Sequence, residues 1–255
     1  MPRRLVSPTL LALAAAALSG WVALVGYLWT DYELANVAPF GAMADGRWST
    51  FFQTAPVEGP SLLLRAPFAL APSLWGGGDM AIFRLVAVPG LLAGVVLGVT
   101  LWELRSRLLP GAKWSLLVVL LAAGNPVTLR ALEIGHPEEL LGAALCVGAV
   151  LAALWSKPWL AAVLLGLALA NKAWAVLAIG PVLLALDRNH VRALLVAGGI
   201  AVAFYAPFLL VGEVGSHPVA GAGSTDSVFQ PWQLWWPLGE HGSVVRGMTG
   251  IVKVD

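Results

Sequence analysis

The sequence predicts an all-α polytopic membrane protein, and three observations lead to that fold class. Hydrophobic residues make up 59% of the 255 positions and charged residues only 11%, whereas soluble domains carry about 25% charged residues. The apolar residues form continuous runs, which excludes the alternating pattern of a transmembrane β-barrel. The longest of these runs reach the ~20 residues that a helix needs to cross a bilayer.

About seven transmembrane helices are expected, with interfacial helices in the first long loop. Residues 5–30 are uncharged and end in aromatic side chains. They favour a retained span over a cleaved signal peptide, whose apolar part is about 7–15 residues long. Residues 61–75 are apolar but contain Arg65 and two prolines, which indicates an interfacial or re-entrant helix. The predicted spans are residues 5–30, 85–102, 114–123, 140–155, 159–171, 172–186 and 193–212.

Two regions follow from this pattern. Residues 1–212 form the transmembrane domain, with an outer loop over residues 31–78. Residues 213–255 are rich in Gly, Pro and Ser, and we expect them to be an extracytoplasmic loop of a truncated chain. A single helix over residues 159–186 would place Lys172 near the middle of the membrane, so two short spans are preferred there.

The charged residues predict a cytoplasmic N-terminus. Basic residues are dense in the short segments on one side of the seven spans, as the positive-inside rule requires. Of the fourteen acidic residues, only Glu103 and Asp187 fall on that side, so chemistry is expected on the extracytoplasmic face. The basic residues on the predicted inner side are Arg3, Arg4, Arg105, Arg107, Lys113, Lys157, Arg188 and Arg192.

Two acids, Asp31 and Glu33, directly follow the first span. One interpretation is that they only solvate the end of a helix. The other is catalytic, since a carboxylate beside lipid and a partly closed loop loses solvation. Its pKa then rises towards the range that suits a general base.

The segment GHPEE at residues 135–139 also has two interpretations. Pro137 suits the first position of a helix, and Glu138 and Glu139 complement the helix N-terminus. Alternatively, His136 and the two glutamates face the compartment of Asp31 and bind sugar hydroxyls.

Three basic residues are candidates for binding a phosphate. Lys172 either ends a turn with its chain extended to the interface or grips a lipid phosphate. Arg65 lies in an apolar, proline-bracketed segment, and its guanidinium suits phosphate geometry. Arg130 either joins that site or pairs only with Glu133 at i,i+3.

Several kinds of chemistry are disfavoured. The chain has no G-x-S-x-G, Walker A, H-E-x-x-H or C-x-x-C motif. No cofactor is expected, although a divalent metal is not excluded. A net charge of +1 gives no electrostatic case for nucleic acid. The single cysteine, Cys146, lies in an apolar run and has no partner for an internal disulfide.

Four pieces of the sequence together resemble the GT-C superfamily of membrane glycosyltransferases. They are similar above all to actinobacterial α-mannosyltransferase-like proteins that use polyprenyl-phosphate mannose. TDYE places Asp31 where that superfamily has its catalytic aspartate, and GHPEELLGAAL resembles the start of a middle span, where GQ is more usual than GH. The other two pieces are FFQTAPVEGPSLLLRAPF and ANKAWAVLAIGPVLLAL.

The resemblance implies an inverting transfer in a bacterial plasma membrane. Asp31, with Glu33 beside it, would deprotonate an acceptor hydroxyl on a lipid or glycan. The oxygen would then attack the anomeric carbon of a hexose. The lipid phosphate would leave, held by Lys172 and Arg65. Such enzymes usually have more than seven spans, which is the reason to expect a truncated chain.

Two other functions remain open on the sequence alone. A transporter or channel component would place ionisable residues along a pathway near mid-membrane, whereas here they lie mainly at the ends of spans. A non-catalytic scaffold, such as an inactive fragment of a transferase of this kind, would leave Asp31, His136 and Lys172 scattered. Convergence of these three residues on one cavity would favour the transferase.

Overall fold

The computed structural model describes residues 7–25, 30–56, 58–109, 115–211, 243–247 and 250–254. Within these ranges, five helical segments are long and apolar enough to cross a membrane. Two shorter apolar helical segments, Pro158–Asn171 and Ala173–Ala185, complete the set of seven that the sequence predicts. The five long segments are Pro8–Val25, Asp79–Leu108, Leu116–Ile134, Pro137–Leu154 and His190–Val211.

The segments are built from fourteen α-helices in the described ranges. Five of them, α2 to α6, lie between the first two long segments and are short, because prolines and glycines interrupt residues 30–78. The first seven are α1 Pro8–Val25, α2 Thr30–Ala35, α3 Val37–Ala44, α4 Trp48–Thr54, α5 Gly59–Leu64, α6 Ala66–Leu70 and α7 Asp79–Val86. The others are α8 Val88–Leu108, α9 Ser115–Ala123, α10 Pro126–Ile134, α11 Pro137–Leu154, α12 Pro158–Asn171, α13 Ile179–Ala185 and α14 His190–Val211.

The described structure also contains two 3₁₀ helices and a hairpin. The 3₁₀ helices are Ala71–Trp75 and Ala173–Ala178. Strands β1 Ser243–Gly247 and β2 Gly250–Val254 pair antiparallel, with Ser243 opposite Val254. These strands lie in the predicted C-terminal loop, most of which falls outside the described residues. The predicted all-α membrane fold is confirmed for the body of the chain.

The long helices alternate in direction, as short connections between spans require. Glycines mark their closest approaches: a Cβ on Gly94 of α8 would lie 3.0 Å from the carbonyl oxygen of Ala122. Further along α8, a Cβ on Gly98 would lie 3.2 Å from the carbonyl oxygen of Val119. Because one number rises as the other falls, α8 and α9 run antiparallel.

The short pair of helices around Lys172 follows the same rule. Helix α12 runs antiparallel to α11, since Gly142 lies against Asn171 and Gly148 against Leu164. At the other end of α12, Pro158 and Arg192 line one pocket, so α12 and α14 begin on the same side. The segment 173–185 must therefore cross back between them. The chain makes two short passages here, not one long helix.

Two segments are more helical than predicted. Helix α7 extends the second span back to Asp79, ahead of the predicted start at residue 85. The polar stretch after residue 123 forms α10, because the Asn125 side chain accepts hydrogen bonds from the main-chain N–H groups of Val127 and Thr128. Pro126 then occupies the first helical position, where its missing N–H is harmless.

The short helices α2–α6 enclose an aromatic core. The ring of Tyr32 stacks on Phe40 at 6.2 Å and meets Phe83 edge-on at 5.0 Å. Phe51 is buried against Phe208 of α14 at 5.7 Å between centroids. These contacts fix residues 30–70 against the ends of the spans. Their expected position at the bilayer interface stays a prediction.

Candidate active site

Four segments meet at one end of the helix bundle. They are the residue before α5, the junction of α5 and α6, the N-terminus of α11 and the C-terminus of α12. They bring together a group of charged side chains that we call the charged cluster. Its members are Glu58, Arg65, His136, Glu138, Glu139 and Lys172.

Lys172 is the centre of the charged cluster. Its Nζ lies 3.2 Å from Glu58 Oε1, 3.4 Å from Glu138 Oε1 and 3.2 Å from Glu139 Oε1. The side chain is only 10% exposed. Burial lowers the pKa of Lys172, but the three carboxylates outweigh it and leave the pKa raised above its ordinary value. Lys172 is therefore a cation at neutral pH, despite its burial.

Glu138 contacts all three basic side chains of the charged cluster. Its Oε2 lies 3.3 Å from Arg65 Nη2, and its Oε1 lies 2.7 Å from His136 Nδ1. The side chain is 4% exposed and sits in the first turn of α11, where the helix dipole favours a negative charge. Glu138 is thus an internal counter-ion, although its Oε2 pairs with Arg65 by charge alone and has no hydrogen-bond partner among the described residues.

Arg65 is the largest fully buried side chain in the described structure. It is 1% exposed, donates from Nε to the carbonyl oxygen of Ser61 at 3.2 Å and lies over the ring of Phe40 at 5.7 Å. Its Nη1 has no hydrogen-bond partner among the described residues. Burial lowers the pKa of Arg65 and Glu138 opposes that effect, yet arginine stays protonated because its ordinary pKa is so high.

Asn171 ties the cluster to the main chain. Its Nδ2 donates to the carbonyl oxygen of Glu138 at 2.7 Å, and its Oδ1 accepts from the Ser61 hydroxyl at 2.9 Å. Trp174 anchors the third acid, because its indole N–H donates to Glu139 Oε2 at 2.8 Å. The neutral residues therefore position the carboxylates around Lys172.

The helix that carries Asp31 and Glu33 packs beside the cluster. Tyr32 between them is 1% exposed, and Gly135 lies so close that a Cβ there would be 2.5 Å from Tyr32 Cβ. Burial is the main reason that the pKa of Tyr32 is raised. The negative charge of Asp79 adds to this effect, and the positive charge of Arg65 opposes it. Helix α2 thus lies next to the His136 turn.

Of the two acids of α2, Glu33 has a described side chain and Asp31 does not. Glu33 is exposed, and its predicted part in catalysis stays a prediction. The side chain of Asp31 and the residues 26–29 lie outside the described structure. The position of α2 therefore rests on its backbone and on the buried ring of Tyr32.

Arg130 lies apart from the charged cluster. It pairs with Glu133 at 3.4 Å and is 60% exposed, so the i,i+3 interpretation describes its contacts. Sequence reasoning missed Glu58, Ser61 and Trp174. Their contacts join segments that are remote in sequence, so no local signal in the sequence could have found them.

Among the described residues, no group of three His, Cys, Asp or Glu side chains is arranged to hold a metal ion. His136 and Glu138 contact each other, and the remaining carboxylates face Lys172.

Comparison with known families decides between the functions that the sequence left open. The family model described as "Glycosyltransferase family 87" matches residues 60–237 of the chain. This chain belongs to glycosyltransferase family 87. The matched range contains Arg65, Glu138 and Lys172 of the charged cluster, whereas Asp31 and Glu58 precede it. Searches of curated proteins and of solved structures gave no match.

Membership in family 87, with five long apolar helical segments, establishes a multi-pass membrane glycosyltransferase. This membership favours the transferase over the transporter. Such an enzyme acts on lipid-linked substrates in the membrane. The charged cluster is the candidate for its active site.

Proposed function

We propose that this family 87 glycosyltransferase moves a hexose, mannose, from a polyprenyl phosphate to a hydroxyl of a lipid-linked or glycan acceptor. The observation that supports the proposal is the charged cluster itself. A buried Lys172 and a fully buried Arg65 lie at the end of the bundle where α2, the helix that includes Asp31, packs through Tyr32 against Gly135. Transfer from a phosphate requires a cation for the leaving group and a base for the acceptor hydroxyl, and we propose that Lys172 and Asp31 supply them.

In the proposed reaction, the carboxylate of Asp31 takes the proton of the acceptor hydroxyl. The acceptor oxygen forms a bond to the anomeric carbon while the bond from that carbon to the phosphate oxygen breaks. The bonding electrons leave with the phosphate, whose negative charge increases. Attack from the face opposite the leaving group inverts the configuration, and the ammonium of Lys172 stabilises the departing charge.

Arg65 takes a different part from the one that its sequence context suggested. Because it is 1% exposed and paired with Glu138, we assign it a positioning role instead of contact with phosphate. It neutralises Glu138, which in turn faces Lys172 and His136. His136 and Glu139 are 29% and 40% exposed and remain the candidates for binding sugar hydroxyls.

The proposed orientation puts the charged cluster on the extracytoplasmic side of a bacterial plasma membrane. It is supported by the basic residues at the other end of the bundle. Lys157 and Arg188 are exposed there in the turns before α12 and α14, and Arg192 is exposed in the first turn of α14. The positive-inside rule assigns such turns to the cytoplasm.

Transfer from a labelled donor tests this proposal. Membranes containing the chain receive a labelled polyprenyl-phosphate hexose and an extract of acceptor lipids. We expect a labelled product of inverted anomeric configuration with the wild type, and its loss with Asp31→Asn. The matched control is Asp45→Asn, which removes an exposed acid that pairs with Arg47. Full transfer by Asp31→Asn, or transfer from a nucleotide sugar alone, would refute the proposal.

A further inference from the structure

We propose that Glu58 competes with the donor phosphate for Lys172, so that the carboxylate and the phosphate bind the ammonium in turn. The inference rests on the proposed function, since it assumes that Lys172 receives a phosphate. It adds a residue that lies ahead of the matched family range and outside the sequence-based candidates. It also states what must leave before the donor can bind.

Carboxylates already surround the ammonium of Lys172. Three carboxylates lie within 3.4 Å of Nζ, and among them that of Glu58 accepts a hydrogen bond from the ammonium. The side chain is 10% exposed, so there is little open surface for a fourth anion. A phosphate that contacts Nζ must therefore replace one of the carboxylates.

Of the three carboxylates, that of Glu58 leaves Lys172 most easily. Glu138 is 4% exposed and is held by Arg65 and His136 as well as Lys172. Glu139 shares its second oxygen with the indole of Trp174. Glu58 is 39% exposed, and among the described residues Lys172 is its hydrogen-bond and ion-pair partner. Its release exposes a carboxylate to water at the lowest cost.

Packing restrains the main chain next to Glu58. Phe208 of α14 packs against Gly59 so closely that a Cβ on this glycine would clash with the ring. The main chain at the start of α5 is therefore fixed. Release of Lys172 takes place by a change of rotamer of the Glu58 side chain, not by movement of the loop.

The exchange has a consequence for selectivity. While Glu58 is bound, the buried ammonium has a full set of counter-ions, and after exchange the phosphate replaces the lost charge. An uncharged lipid cannot compensate Lys172 in this way. Competition with Glu58 thus favours a lipid that carries a phosphate over one that ends in a hydroxyl.

Lipid binding to the full chain in nanodiscs tests the inference. The probes are a polyprenyl phosphate and the polyprenol of the same chain length. Glu58→Gln keeps the shape of the side chain and removes its charge. We expect it to bind the polyprenyl phosphate about two- to fivefold more tightly than the wild type, the range that a part-exposed ion pair supplies. Binding of the polyprenol should not change.

Two further variants separate the possible outcomes. Glu133→Gln removes an acid that pairs with Arg130 outside the charged cluster, and should bind both probes as the wild type does. In Lys172→Met, the preference for the phosphate should disappear, and adding Glu58→Gln should have no effect. If Lys172→Met keeps the preference, the proposed function fails. If that preference is lost but Glu58→Gln binds no more tightly than the wild type, only this inference fails.

Discussion

The side-chain amide of Asn171 donates a hydrogen bond to the main-chain carbonyl of Glu138 across 2.7 Å. This bond joins the C-terminus of α12 to the first turn of α11, although the residues are 33 positions apart. Asn171 is fully buried, and its oxygen also accepts from Ser61. Lys172 is the next residue, so its position beside Glu138 follows from the amide of its neighbour.

Replacing Asn171 by alanine should destabilise the protein. The change leaves buried polar groups of Glu138 and Ser61 without this partner, at a cost of about 1–3 kcal/mol. The free energy of unfolding in mixed micelles measures the effect. Gln53→Ala serves as the control, because Gln53 makes an exposed hydrogen bond of 3.4 Å to Ser49. Equal losses in the two variants would contradict the buried network described here.

Gly135→Ala should displace α2 and reduce transfer. Gly135 has φ +91°, and a Cβ there would lie 2.5 Å from Tyr32 Cβ. Gly46→Ala is the matched control, since Gly46 has φ +72° with nothing within 4 Å of the added carbon. Both variants carry the left-handed penalty of ~1–2 kcal/mol, but only Gly135→Ala has the clash. Transfer activity per folded protein should therefore fall in Gly135→Ala alone, and an equal fall in both would count against the packing of α2.

Arg65→Met should be the most destabilising single change in the charged cluster. It leaves Glu138, 4% exposed, without its main cation, and breaking a buried pair costs about 3–5 kcal/mol. Arg107→Met removes a pair that is 79% and 55% exposed, and should cost less than about 1 kcal/mol. Thermal unfolding of both variants in detergent gives the comparison. A small loss for Arg65→Met would mean that Glu138 finds another partner.

Cysteine labelling should distinguish the two ends of the bundle. In a Cys146→Ala background, Ser73→Cys lies near the end that carries the charged cluster, and Ser156→Cys lies in the turn beside Lys157. Both serines are exposed. We expect an impermeant maleimide to label Ser73→Cys in intact cells and Ser156→Cys only after permeabilisation. The reverse pattern would place the candidate active site in the cytoplasm.

Composition and run length were enough to predict the membrane fold, because uncharged stretches of sufficient length have few alternatives. The alternation of spans also predicted that His136 and Lys172 lie at the same end. The contact between Lys172 and Glu58 could not be predicted from the sequence, since 114 positions separate the two residues and no periodic pattern surrounds Glu58. The burial of Arg65 was missed for a similar reason: its environment comes from Phe40 and Glu138, which are remote in sequence.

Helix α12 has fourteen residues and spans about 21 Å, less than the ~30 Å hydrocarbon thickness of a typical bilayer. The segment that follows it, Ala173–Ala185, is also too short to cross a typical bilayer as a straight helix. Lipid around this pair must thin, or water must enter as far as Lys172. A headgroup can then reach the ammonium without its tail leaving the hydrocarbon layer, and we expect the access of the donor to Lys172 to depend on the thickness of the surrounding membrane.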